Sequence, residues 1–133
     1  MKKTVFVVEP QELFVDRLRQ VLTQAGLDVI GVSVDINLGA IVASEPNVVF
    51  LDADFLGDDP RNAVREINGV AEGATICVYT QGRGENLVGS CCVLSKGSTE
   101  DELLHALRAL LADGGTAASA GPAGRTFPQT RAV

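Results

Sequence analysis

No apolar run in this chain is longer than a few residues, so no segment has the length needed to span a bilayer. A cleavable secretory signal is not expected either. Met1-Lys2-Lys3-Thr4 has the charge of an n-region, but the apolar stretch that follows stops at Glu9-Pro10, too short for an h-region. A cytoplasmic location is the expectation. Histidine occurs once, at His105, and cysteine three times, at Cys77, Cys91 and Cys92. An odd set without metal-ligand spacing, lying inside apolar strand-like segments, reads as small buried hydrophobes. His105 falls in the middle of a helical pattern and reads as a partly exposed helix residue. Aromatics are few and tryptophan is absent. Basic residues are scarce as well, with 11 Lys and Arg against 17 Asp and Glu. Both bases of residues 114–133 (Arg125, Arg131) lie outside the body of the chain, leaving nine bases against seventeen acids, or −8, over residues 1–113. Such a body repels phosphate backbones, and direct nucleic-acid binding is not expected.

What is present is a regular alternation of strand and helix signals across 133 residues, of which 46% are apolar, enough for one domain with its own core. Strands are expected over 4–8, 28–32, 48–52, 75–80 and 91–94. Phe14, Leu18, Val21, Leu22 and Ala25 recur on one face of a helix from Gln11 to Ala25, and Gly26 ends it. Shorter helices are expected from Ile36 to Ser44 and from Arg61 to Asn68. A last helix starts at a Ser98 or Thr99 cap, with Leu103, Leu107, Leu110 and Leu111 as its apolar face. This order predicts an α/β fold, a doubly wound five-stranded parallel sheet in the order 2-1-3-4-5. Residues 1–113 form the domain. The Gly, Ala, Pro and Ser of 114–133 read as a disordered tail or linker.

In such a sheet the ligand site lies beyond the carboxyl ends of the strands. The stretch "NVVFLDADFLGDD", Asn47 to Asp59, runs from an apolar strand straight into acids. Its tip is either a metal and phosphoryl site or a strand running out into a solvated loop. Asp58 and Asp59 read as loop acids. The residues just after each strand are Glu9, Asp52 with Asp54, Thr80 and Lys96. A lysine at roughly 4 Å from Asp52, with an effective dielectric of about 20, attracts it by about 4 kcal/mol. It would keep Asp52 ionised and neutralise a phosphoryl group attached there. Thr80 supplies a hydroxyl donor, and Glu9 a hard oxygen of the kind Mg²⁺ prefers. This is the equipment of an aspartyl-phosphate site. "GRG" at 82–84 has no following Lys-Ser/Thr and reads as a turn, not a phosphate loop.

"VFVVEP", "VVFLD", "VYT" and "VLSKG", in that order, resemble the strand tips of the receiver domains of bacterial response regulators, over about residues 3–112. "LFVDRLRQVL" and "STEDELLHALRALL" are most similar to receivers of the NarL/LuxR type. The resemblance implies a flavodoxin-like, CheY-like fold and a signalling module rather than an enzyme. It implies that Asp52 accepts a phosphoryl group from a sensor histidine kinase or phosphotransfer protein, sensed by Thr80 and Lys96. Glu9, Asp52 and the backbone carbonyl of Asp54 would then hold Mg²⁺.

The sequence departs from that pattern at several points. Pro10 stands where the family has a second acid that ligates the metal, so weakened Mg²⁺ binding is expected. Leu56-Gly57 replaces the family's proline after the phosphoacceptor loop, and Gly97 replaces the proline after the lysine. Val93 takes the place of the aromatic switch residue, and the interval from Thr80 to Lys96 leaves room for about one helical turn. These departures suggest an alternative, a phosphorylation-independent module that binds a downstream protein or a second copy through residues 82–111. In it, Leu94 and a neighbouring cysteine would be left less covered. "VVFLDADF" also resembles the DxD signature of haloacid-dehalogenase-type phosphatases. That family, however, places it near the domain start and needs a further acidic pair after the lysine.

Overall fold

The computed structural model describes residues 2–54, 59–81 and 91–112. Five strands, β1 (Lys3–Val8), β2 (Leu27–Ser33), β3 (Val48–Asp52), β4 (Thr75–Thr80) and β5 (Cys91–Ser95), form one sheet in the order β2-β1-β3-β4-β5. All four pairings are parallel, as the alternation with helices requires. β3 is buried at every residue, which is why it reads as an unbroken apolar run.

The helices divide between the two faces. α1 (Val15–Gln24) and α4 (Glu100–Ala112) cover Val5, Val7, Phe50 and Cys77 with Leu18, Leu22, Leu103 and Leu107. α2 (Leu38–Ser44) and α3 (Pro60–Val70) cover Phe6, Val8, Val49, Leu51 and Val78 with Ile41, Val64 and Ile67. Side chains alternate along each strand between these two cores. None of the described helices is long and apolar enough to cross a membrane.

Local chemistry explains where elements begin and end. The Glu12–Phe14 segment is a 3₁₀ turn, so α1 starts later than the apolar spacing suggests, and Phe14 is 43% exposed rather than on the buried face. Gly26 follows α1 at φ +100, a conformation in which side chains are strained. Asp59 is more than a loop acid. Its side chain accepts from the Arg61 N–H and caps α3, with Pro60 in the first turn, where its missing N–H costs nothing. The helix continues through Gly69 to Val70. Thr99 and Glu102 form a reciprocal capping box on α4: Glu102 N–H donates to Thr99 Oγ1, and Thr99 N–H donates to Glu102 Oε1. His105 is exposed on that helix, as expected. Cys77 is buried and Cys92 half-buried. Leu94, expected to lose cover, is buried in the core beside α4, at 5% exposure. Asp58, Leu56-Gly57, the "GRG" turn, the rest of 82–90 and the 114–133 tail lie outside the described residues.

β1 and β2 slip register between Val5 and Phe6, which brings Gly31 opposite Phe6. A Cβ at Gly31 would come within 2.6 Å of the Phe6 ring, and Phe6 is only 3% exposed. Gly31→Ala is therefore expected to destabilise the fold by about 1–3 kcal/mol. Urea denaturation should show this, and Phe6→Leu in the same background should recover part of it. At the opposite end of the strands from their acidic tips, Thr4 N–H and Thr4 Oγ1 both donate to Asn47 Oδ1, at 2.8 and 3.2 Å. Asn47 N–H lies 3.1 Å from both Thr4 O and Thr4 Oγ1, and Thr75 N–H reaches Asn47 O at 2.9 Å.

Candidate functional site

Parallel register carries the strand tips to one place. Val8 pairs with Leu51, Asp52 with Tyr79, and Thr80 with Ser95, so Glu9, Asp52, Thr80 and Lys96 emerge at the same edge of the sheet. Backbone bonds extend the ladder past the strand ends, from Ala53 N–H to Tyr79 O and from Lys96 N–H to Thr80 O, each 3.0 Å. The tips are held by the sheet rather than by loop conformation.

Asp52 is 1% exposed. Its Oδ1 accepts from Lys96 Nζ at 2.8 Å and from the Asp54 N–H at 3.1 Å. The Coulombic pairing expected between strands three and five is therefore present, in a buried setting where it is strong. Lys96 also lies 3.0 Å from Asp54 Oδ2. Burial works against its charge, but hydrogen bonds to Asp52 and Asp54 outweigh this and raise its pKa.

Glu9 is fully buried. Its Oε2 accepts from the Gln11 N–H at 3.0 Å. Burial, reinforced by the neighbouring Asp52 carboxyl, pushes its pKa up to about 7. Glu9 Oε1 and Asp52 Oδ2 are both buried without a hydrogen-bond partner. Two orphaned carboxylate oxygens on adjacent strand tips call for a shared proton or a cation. Hard oxygens of this kind fit Mg²⁺. Pro10 adds no ligand, and Glu12 is exposed in the 3₁₀ turn. Among the described residues no group of three or more His, Cys, Asp or Glu is arranged to hold a metal. The site thus fits a cation through two carboxylates.

Asp54, whose backbone carbonyl is the expected Mg²⁺ contact, also engages its side chain. Its Oδ1 accepts from Thr80 Oγ1 at 2.7 Å, and its Oδ2 from the Gln81 N–H at 3.0 Å. Partial burial opposes ionisation, but the bonds from Thr80, Lys96 and Gln81 prevail and hold its carboxyl below the usual carboxylate range. Two participants escaped the sequence reading. The Gln81 amide has no side-chain signature. The ring of Tyr79 lies 5.5 Å from Lys96 Nζ, within cation–π range, and 5.3 Å from Phe50. Its signal was its place as the sole tyrosine, beside Thr80.

No protein-family model matches the chain, and no curated protein sequence matches it. Solved structures do. A signal receiver domain of an HD-domain-containing protein from Pseudomonas fluorescens Pf-5 superposes with a TM-score of 0.69 at 22% identity, covering 87% of this chain and 99% of that one. The receiver domain of the putative response regulator NarL from Mycobacterium tuberculosis gives 0.69 at 21% identity, covering 86% and 97%. The isolated receiver domain of RcsB from Salmonella enterica serovar Typhimurium, solved with the phosphomimetic BeF₃⁻, gives 0.68 at 19%, covering 86% and 91%. With its parallel sheet in the order 2-1-3-4-5 and helices on both faces, the chain has the CheY-like fold of response-regulator receiver domains.

Proposed function

We propose that the chain is a receiver module that accepts a phosphoryl group on Asp52 from a histidine kinase or phosphotransfer protein. The observation that carries this reading is the pairing of Asp52, 1% exposed, with Lys96 Nζ at 2.8 Å on a strand tip flanked by Glu9 and Thr80. The two oxygens of Asp52 have different surroundings. Oδ2 is buried without a hydrogen-bond partner, whereas Oδ1 faces the donors Lys96 and Asp54 N–H. An incoming phosphoryl group is anionic, so its favoured partner is Oδ1, beside the Lys96 ammonium. The new bond joins Oδ1 to phosphorus as the donor's leaving group departs with the electrons of the broken bond. Glu9 Oε1 and Asp52 Oδ2 would hold Mg²⁺, which supplies charge neutralisation when bound. Binding weaker than a three-acid site gives is expected, because Pro10 contributes no oxygen.

The test is incubation with acetyl phosphate and Mg²⁺ followed by intact-mass measurement. A single phosphoryl adduct in the wild type, absent in Asp52→Asn, is the expected result. An unmodified wild type would move the reading to the alternative, a phosphorylation-independent interaction module. The observation in that alternative's favour is that, among the described residues, no group of three or more His, Cys, Asp or Glu is arranged to hold a metal ion.

A further inference from the structure

We propose that the Asp54 carboxylate is an internal anion that occupies the donors a phosphoryl group on Asp52 requires, and so competes with that group. The inference rests on the receiver reading above. A phosphoryl group joined to Asp52 Oδ1 would lie against Lys96 Nζ, which already bonds that oxygen at 2.8 Å. Its oxygens need donors, and the strand tips offer the Lys96 ammonium, the Thr80 hydroxyl and the Gln81 N–H. All three are directed at Asp54, at 3.0, 2.7 and 3.0 Å. A carboxylate can only accept, and its two oxygens have room for several donors at once, as a phosphoryl group's do. The Asp54 side chain is only 22% exposed, so this anion is held in the site rather than left in solvent. Thr80 is thereby drawn toward the β3 tip with no phosphate present. An arriving phosphoryl group must displace a like charge from those donors before it can use them.

The expected consequence is an exchange. In the wild type, Thr80 gives up a bond to Asp54 and gains one to the phosphoryl group, so deleting its hydroxyl changes little. Without the Asp54 carboxylate, the same hydroxyl adds a bond that was not there before. Binding of beryllofluoride with Mg²⁺, followed by amide NMR at Gln81, reads this in the wild type, Asp54→Ala, Thr80→Val, the double variant and Asp52→Ala. Asp54→Ala should bind about tenfold tighter, the scale of one charge-assisted hydrogen bond. Thr80→Val should shift wild-type affinity by less than about twofold but weaken Asp54→Ala by about tenfold, a non-additive cycle. Asp54→Asn, which keeps the side chain's size and one acceptor, should fall between wild type and Asp54→Ala.

Equal affinity in wild type and Asp54→Ala, with binding abolished in Asp52→Ala, would overturn the competitor role and leave the receiver reading standing. A gain in Asp54→Ala of the same size with and without the Thr80 hydroxyl would also overturn it, since removal of charge alone would explain the gain. Absence of Asp52-dependent binding in every variant would remove the receiver reading and the proposal together.

Discussion

Glu9→Gln is expected to stabilise the metal-free protein by about 3 kcal/mol at pH 8 and by almost nothing at pH 4. In the folded chain the Glu9 pKa rises from 4.5 to about 7, chiefly through burial, with Asp52 adding to it. The folded state therefore holds the proton more tightly than the unfolded state. Below pH 4.5 the carboxyl is protonated in both states, and the stability it allows is fully present. As pH rises through 7 the group ionises inside the fold, and that stability is lost. Glutamine never ionises. Its carbonyl can still accept from the Gln11 N–H, and its amide can donate to Asp52 Oδ2, which otherwise has no partner. Urea unfolding with a chelator between pH 4 and pH 8 should show a falling wild-type curve and a flat one for this component in the variant. Parallel curves would mean that Glu9 does not carry the linkage.

Lys96→Met is expected to act in the opposite direction, costing about 3–5 kcal/mol at pH 8. Lys96 Nζ serves Asp52 and Asp54 at 2.8 and 3.0 Å, and its side chain is 13% exposed. Methionine matches its length but leaves Asp52, at 1% exposure, without a cation beside it and with the Glu9 carboxyl near. Removing one partner of a buried pair costs more than the pair is worth, because the stranded charge remains. Two controls identify the cause. The loss should shrink at pH 5, where Glu9 is protonated. Asp52→Asn combined with Lys96→Met should be more stable than Lys96→Met alone. A Lys96→Met protein as stable as wild type at pH 8 would show that the pair is not electrostatically coupled to the fold.

Much of the architecture was legible because it depends on periodicity. β3 and β4 end where their apolar runs end, and the one-tip clustering of Glu9, Asp52, Thr80 and Lys96 follows from parallel strands of similar length. Exceptions arose where short-range geometry overrode pattern. The 3₁₀ turn at Glu12–Phe14 took Phe14 out of a face that its spacing alone assigned to the core. Leu94 is covered by α4 packing, which no window around residue 94 can register. At the site, residue types marked which groups take part but not which way they point. Asp54 sits two residues beyond Asp52 in any reading. That its carboxylate, rather than its carbonyl alone, is engaged depends on Thr80 and Gln81, 26 and 27 residues away in sequence.

The Thr4–Asn47 clasp carries no ionisable group, whereas the tips at the other end of the same strands are held by acids and a lysine. Protonation of the tip residues therefore acts on their own contacts and removes none of the Thr4–Asn47 bonds, about which strand tilt can be reckoned as about a pivot. From Asn47 to Asp52 the lever arm is about 17 Å, at about 3.3 Å per residue. A tilt of about 3° about the pivot moves the tip by less than about 1 Å, close to the slack a hydrogen bond tolerates. Small rocking of the strands is thus absorbed without breaking the contacts among Asp52, Asp54, Thr80 and Lys96. A change of charge at the tips acts directly on those contacts, because Asp52, Asp54 and Lys96 are all ionisable.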